Sequence, residues 1–266
     1  MSRVLEGRVA VVIGAGSSGG GLSNGSSNGV SNGEAATLAY ADAGAAVAVV
    51  DRNPDEAHRV AAVVEKRGGI ALPVTADISS EDDVMAAVAA IVAEFGAPHV
   101  LHNNVGIVHL GSIIDTGTEA WNTSIAVNLT GTYLTCRHIL PHMLSAGRGV
   151  ITNVSSVAAI RDTGYVYPAY SATKAAVNQL TVSLALTYAA QGIRVNALLP
   201  GLIDTPLAQL LNDPQALAAR HARSPTGRMG SPYDVANAAV FLASDHASYI
   251  NAVCLPVDGG LSARCG

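Results

Sequence analysis

Arg8-Val9-Ala10-Val11-Val12-Ile13 runs directly into Gly14-Ala15-Gly16, and no other stretch limits the fold as strongly. A short β-branched run without polar alternation has no face for solvent, which is the pattern of a parallel strand covered on both sides. A parallel partner must be reached through a crossover, usually a helix. Glu34-Ala35-Ala36-Thr37-Leu38-Ala39-Tyr40-Ala41-Asp42-Ala43 has that helix's composition and is closed by Gly44. Ala45-Ala46-Val47-Ala48-Val49-Val50-Asp51 then reads as a second buried strand. Between turn and helix, residues 22–33 are three tandem tetrapeptides, Leu-Ser-Asn-Gly, Ser-Ser-Asn-Gly and Val-Ser-Asn-Gly, whose composition reads as a solvated loop.

The alternation continues to the end of the chain. Helices are expected near 54–67, 80–95 (opened by Ser79 or Ser80), 119–145, 168–190, 205–221 and 232–244, with strands near 70–75, 98–103, 149–154, 193–198 and 253–257. Seven strands alternating with helices predict an α/β chain: one Rossmann-type domain over 1–266, a doubly wound parallel sheet with helices on both faces. No linker breaks the pattern. An apolar share of 49% against 13% charged residues excludes disorder, while no apolar run approaches the roughly 18 residues of a membrane span. The N-terminal residues have no apolar signal core, so the expected compartment is the cytoplasm. A net charge of −5 without a basic cluster offers nucleic acid no footprint. Cys136, Cys254 and Cys265 form no Cys-x-x-Cys pair, and His138 and His142 lack a third ligand, so no metal site is expected.

In such a sheet, ligands bind beyond the carboxyl ends of the strands. Gly14, Gly16, Asn32 and Gly33 form a turn and helix start suited to a pyrophosphate. Gly25 competes with Gly33 as the third glycine, but the helical composition after Glu34 and the 18-residue spacing to Asp51 favour Gly33. Asp51 is placed to accept from the hydroxyls of an adenosine ribose, which favours NAD over NADP. The nearby cation, Arg52, alternates to the other strand face unless the chain turns there. Four Gly-x-Ser-x-Gly matches, at Ser18, Ser23, Ser27 and Ser31, follow from the repeats; a serine hydrolase needs more strands and an oxyanion loop ahead of such an elbow.

Tyr170-Ser171-Ala172-Thr173-Lys174 places a phenol and an ammonium on one helical face. Lysine occurs only at 66 and 174, so with eight tyrosines in 266 residues chance gives about 0.06 such pairs. A fixed ammonium favours the phenolate and lowers the tyrosine toward working pH, making Tyr170 a candidate general acid/base.

Together with the glycine turn, Asp51, Asp77, Asn103-Asn104-Val105-Gly106, Asn128, Ser156, Pro200-Gly201 and Val257-Asp258-Gly259-Gly260, this pair resembles the short-chain dehydrogenase/reductase family over essentially the whole chain. The resemblance implies an NAD-dependent oxidoreductase interconverting a secondary alcohol and a ketone, the alternative being an NAD-binding regulator without turnover. It implies that Tyr170 exchanges the proton, Ser156 bonds the substrate oxygen, and Lys174 lowers the tyrosine and holds the nicotinamide ribose. Asn128 would keep its helix open for a proton-relaying water. Asp77 and Ile78 would flank the adenine, Asn104 would touch the adenosine ribose side, Gly106 would line the cofactor site, and Ile203 and Thr205 would meet the carboxamide, with Pro200 and Gly201 also binding the cofactor. It also implies a homotetramer, with the apolar segment Ile250–Val257 at an interface. The substrate pocket is expected between Ser156–Tyr170 and residues 204–224, where Leu207, Leu210 and Leu211 mix with Arg161, Arg220, His221 and Arg223. Ile13 departs from the family's usual Thr and so removes a side-chain bond from the glycine turn. Ser155, Tyr165 and Tyr167 are read as decoys beside the working residues.

Overall fold

A computed structural model of the chain describes residues 3–16, 29–206 and 214–264, the side chains of 214–217 excepted. Seven strands form one sheet in the order β3-β2-β1-β4-β5-β6-β7. They are β1 (Val9–Ile13), β2 (Ala46–Asp51), β3 (Ile70–Thr75), β4 (Val100–Asn103), β5 (Gly149–Val154), β6 (Ile193–Pro200) and β7 (Cys254–Val257). All six pairings are parallel. Strand order reverses where β1 lies between β2 and β4, and a crevice opens there because the connecting helices leave toward opposite faces.

Strand alternation supplies two apolar layers. Ala10, Val12, Val47 and Val49 pack under Ala35 and Tyr40 of α1 (Asn32–Asp42), Val60 of α2 (Pro54–Lys66) and Val235 of α8 (Pro232–Ala243). Val11, Ile13, Val50 and Ile151 pack on the other side under Val84 and Ile91 of α3 (Glu81–Phe95), Leu134 and Met143 of α5 (Gly131–Ser145), and Ala185 of α6 (Pro168–Tyr188). Both faces of the sheet are therefore covered, as the non-alternating strands require. Among the described residues no helix is long and apolar enough to cross a membrane.

Two local expectations are corrected. The last tetrapeptide is only half loop: Ser31 caps α1, its Oγ accepting from Glu34 N at 3.0 Å, and Asn32 and Gly33 already belong to the first turn of the helix. Serine is a preferred N-cap because its oxygen takes an otherwise unpaired amide. Residues 17–28, with Ser18, Ser23, Gly25 and Ser27, lie outside the described residues. The helix expected over 119–145 is α4 (Thr118–Ile125), a π-helical turn over Ala126–Thr130, and α5. In the substrate segment α7 spans Pro214–Arg223, while Leu207, Leu210 and Leu211 lie outside the described residues.

One polar cluster sits inside the first layer. The Tyr40 hydroxyl meets His102 Nδ1 at 3.2 Å, and among the described residues His102 Nε2 has no hydrogen-bond partner. Burial holds the His102 imidazole down to about 4. Between pH about 6.5 and 4 the unfolded chain therefore binds a proton that the folded chain does not. This contribution to stability is complete above pH about 6.5 and is lost as pH falls toward 4, by about 3 kcal/mol in all. His102→Asn, which keeps a polar partner for Tyr40, is expected to flatten that part of the pH–melting curve; equal slopes in variant and parent sink the assignment.

Candidate active site

The crevice at the switch point is a cleft of about 300 Å³. Every residue expected to take part in catalysis or cofactor binding except Gly33 and Asn128 lines it, whereas Arg161, Arg220, His221 and Arg223, expected at the substrate pocket, do not. At one end the chain makes its glycine turn. Gly14 has φ +76°, a conformation that glycine adopts freely, and a Cβ there would lie 2.6 Å from Val105 Cγ2. Gly33 stands behind the turn: a Cβ on it would lie 1.9 Å from the Gly14 carbonyl oxygen. Its part is to let the first turn of α1 approach β1. The side-chain bond lost with Ile13 is made up elsewhere, since Asn104 Nδ2 donates to Gly14 O at 3.0 Å and Ser31 Oγ to Gly16 O at 2.8 Å. Asp51 adds a third tie, its Oδ2 accepting from Gly16 N at 2.8 Å and its Oδ1 from Asn53 N at 2.9 Å.

The chain bends after Asp51, so exposed Arg52 lines the same cleft instead of facing away. Strand alternation fails there because β2 has ended. Across from it, Asp77 Oδ1 accepts from Ser79 N and Oγ, and that hydroxyl chiefly holds its carboxyl below the usual range, with Arg52 adding a smaller effect. Ile78 lies beside it in the wall, its side chain against Gly131, where a Cβ would come within 2.6 Å of Ile78 Cδ1.

At the other end α6 carries Tyr170 and Lys174. The Lys174 side chain is buried, and Nζ donates to Val154 O at 2.8 Å. Gly106 makes room for it, since a Cβ there would lie 3.0 Å from Nζ. Burial brings the ammonium down to about 8, leaving it protonated at neutral pH. The expected lowering of Tyr170 is not what the geometry gives. Burial of the phenol pushes it up to about 12, opposed by its hydrogen bond with the Ser156 hydroxyl, while the ammonium lies 5.8 Å from the ring centroid and is turned to a carbonyl. Ser155 does separate work: its Oγ donates to the Lys174 carbonyl at 3.0 Å and ties α6 to β5.

Asn128, within the π-helical turn, is fully buried. Its Oδ1 accepts from Ile107 N at 2.8 Å, and its Nδ2 donates to Ile107 O and Thr173 Oγ1. A widened turn is how a helix frees space for such an amide, and these turns recur at functional sites. Farther along, Ile203 pairs with Gly230 in an isolated parallel bridge, placing it, Thr205 and Pro200-Gly201 along one wall. His138 reaches across to Glu81 at 2.8 Å, joining α5 to α3.

Sequence reasoning missed two groups beside this cleft. Tyr167 packs edge-on against Tyr170 with centroids 5.3 Å apart, and Tyr165 stacks on Tyr167 at 5.9 Å. Arg220 of α7 closes the row, its Nε donating to the Tyr165 hydroxyl at 2.7 Å. Tyrosines clustered just ahead of Tyr170 were the available signal. The second group, Glu34 with Arg59 and Glu56, joins α1 to α2 across 25 positions and had no local signature.

The cleft and its residues place the chain among dinucleotide-binding oxidoreductase folds. A family model described as enoyl-(acyl carrier protein) reductase matches residues 25–262. A cis-4-hydroxycyclohexanecarboxylate dehydrogenase from Sinomonas cyclohexanicum is 42% identical over 99% of this chain and 100% of its own. The 2,5-dichloro-2,5-cyclohexadiene-1,4-diol dehydrogenase LinX of Sphingobium indicum is 36% identical over 98% and 99%. Among solved structures, a gluconate 5-dehydrogenase from Burkholderia cenocepacia J2315 in complex with NADP and tartrate superposes with TM-score 0.88 at 31% identity, covering 99% of both chains. The chain belongs to the short-chain dehydrogenase/reductase family.

That family implies a bound NAD(P), and the residues fit one. Close helix-to-strand packing at Gly33 leaves the amino end of α1 facing the turn, a site for a pyrophosphate. In the wall beside it Asn32 Oδ1 is buried and has no hydrogen-bond partner among the described residues, and the Asp51 carboxylate lines the same cleft, where ribose hydroxyls could donate to it.

Proposed function

We propose that the protein is an NAD-dependent oxidoreductase that interconverts a secondary alcohol and a ketone, with Tyr170 as its general acid/base. One observation carries the reading: Ser156, Tyr170 and Lys174 meet at one end of a cleft whose other end is Asp51 and the glycine turn. The dinucleotide supplies the acceptor or donor of hydride when bound. Ser156 and Tyr170 hold the substrate oxygen between two hydroxyls, and the proton of that oxygen moves to or from the Tyr170 hydroxyl. A phenol held near 12 is protonated at neutral pH and so is set as the acid for ketone reduction. Lys174 borders the same spot as a cation, and Asn128 fixes Ile107 and Thr173 around it. Asp77, Ile78 and Asn104 border the adenosine half, Gly106 lies against Lys174, and Ile203 and Thr205 border the carboxamide beside Pro200 and Gly201.

NAD is favoured over NADP because a 2′-phosphate would meet the Asp51 carboxylate. Of the cations nearby, Arg59 is bound to two glutamates, and Arg52 is exposed and adjacent to Asp77. The substrate is a small alcohol or ketone; the relatives' names point to cyclic alcohols, carboxylated in one case. Cys136 and Cys254 are free thiols, in keeping with the reducing cytoplasm. The test is to mix the protein with NAD⁺ and a panel of secondary and cyclic alcohols, with and without a carboxylate, and follow absorbance near about 340 nm. NAD⁺ binding without any absorbance change across the panel makes the protein a sensor and ends the enzymatic reading.

A homotetramer is part of the same proposal. β7 is an edge strand, and Tyr233, Phe241 and Tyr249 are exposed near it. Light scattering is expected to give four times the chain mass of 26.9 kDa; a monomer refutes it.

A further inference from the structure

A triad of charges beside the cleft has no part in the chemistry above. Glu34, in the first turn of α1, is 5% exposed, and Arg59 of α2 grips its two carboxylate oxygens at 3.0 and 2.7 Å. The same guanidinium reaches Glu56 through Nε at 3.2 Å and through a terminal nitrogen at 3.0 Å. These bonds hold the Arg59 proton more tightly than usual, Glu34 contributing most. Glu56 brings the triad up to the adenosine end. A Cβ on Gly16 would lie 2.7 Å from both Asp51 Oδ2 and Glu56 Cβ, so Glu56, Asp51 and the glycine turn share one corner.

Arginine is the side chain best suited to a phosphate, because its planar fork offers parallel donors. Here four of the fork's five donors are taken up by carboxylates. One guanidinium against two glutamates leaves the triad at −1, and Asp51 brings the corner to −2. We propose that Glu34 and Glu56 sequester Arg59 from the cofactor, and that this lock, beside Asp51, selects a dinucleotide with free adenosine ribose hydroxyls against one carrying a 2′-phosphate. The inference rests on the reading that the Asp51 end takes the adenosine ribose. It adds to Asp51 a second cause of selectivity that acts by withholding a cation instead of by direct repulsion.

The experiment measures dissociation constants of NAD⁺ and NADP⁺ by calorimetry, so that no turnover is needed. Three proteins are compared: the parent, Glu34→Gln/Glu56→Gln, and that double variant with Arg59→Met. Amides keep the side-chain size and remove the charge, so that Arg59 is held only by neutral acceptors and a phosphate can compete for it. The double variant is expected to bind NADP⁺ about tenfold tighter than the parent while NAD⁺ changes by less than about threefold. Adding Arg59→Met is expected to erase that gain. If the parent prefers NAD⁺ and the double variant keeps the parent's ratio, or the gain survives Arg59→Met, the lock is wrong and the Asp51 reading stands. If the parent prefers NADP⁺, the underlying reading itself fails. Glu34 is buried, so melting temperatures accompany the titrations. Should the double variant not fold, Glu56→Gln alone, at a 20% exposed side chain, is expected to shift the ratio the same way by a smaller factor, and an unchanged ratio overturns the proposal.

Discussion

Tyr170→Phe is expected to lower kcat by about 10²–10⁴-fold while the NAD⁺ dissociation constant stays within a few-fold of the parent. The substitution removes one oxygen and keeps the ring that packs against Tyr167 at 5.3 Å, so the local packing survives. What is lost is the proton carrier, and a loss confined to the reaction step lowers kcat and kcat/KM together. Ser156 remains to bond the substrate oxygen, and it has no acidic proton to replace the phenol's. Lys174 cannot take over: its ammonium is committed to the Val154 carbonyl. Retained turnover in this variant ends the mechanism. A parallel loss of NAD⁺ affinity would instead assign the hydroxyl to cofactor binding.

What the sequence made legible follows from how local each feature is. Strands β3 and β5 fall on the expected residues because a buried parallel strand is a run of apolar residues bounded by turn chemistry. Tyr170 and Lys174 are on one helical face because four residues make about one turn. The π-helical turn at Asn128 was legible only through the family resemblance, which implied a helix held open there: nothing in Ala126–Thr130 departs from ordinary helical composition, and Asn128 is held by Ile107, 21 positions away. The direction of the Tyr170 shift was misread for a related reason. The Tyr-x-x-x-Lys spacing announces an ammonium nearby, whereas the cost of burying the phenol depends on everything packed around it. The side on which Arg52 falls was left open by the sequence, because alternation holds only while the strand continues and β2 ends at Asp51.

Gly33→Ala is the substitution expected to cost the fold most for one added methyl. Its Cβ would lie 1.9 Å from the Gly14 carbonyl oxygen and 2.7 Å from Asn104 Nδ2. The nearest atom is backbone in the turn that closes β1, so no side-chain rotation relieves the contact. Either α1 lifts away from β1 or the Gly14 peptide tilts and gives up its bond from Asn104. Lifting α1 also loosens Ala35 and Tyr40 from the first apolar layer. Overpacking of this kind costs about 3 kcal/mol. For a chain of this length that is a fall of roughly 6–12 °C in melting temperature. NAD⁺ and NADP⁺ affinities are expected to fall together, since the amino end of α1 and the glycine turn move apart for both. Gly25→Ala is the control, because Gly25 was the competing third glycine. If Gly33 holds that position, Gly25→Ala leaves the melting temperature and both affinities near those of the parent. A Gly33→Ala protein that melts within about 2 °C of the parent, beside a Gly25→Ala protein that loses affinity, reverses the assignment.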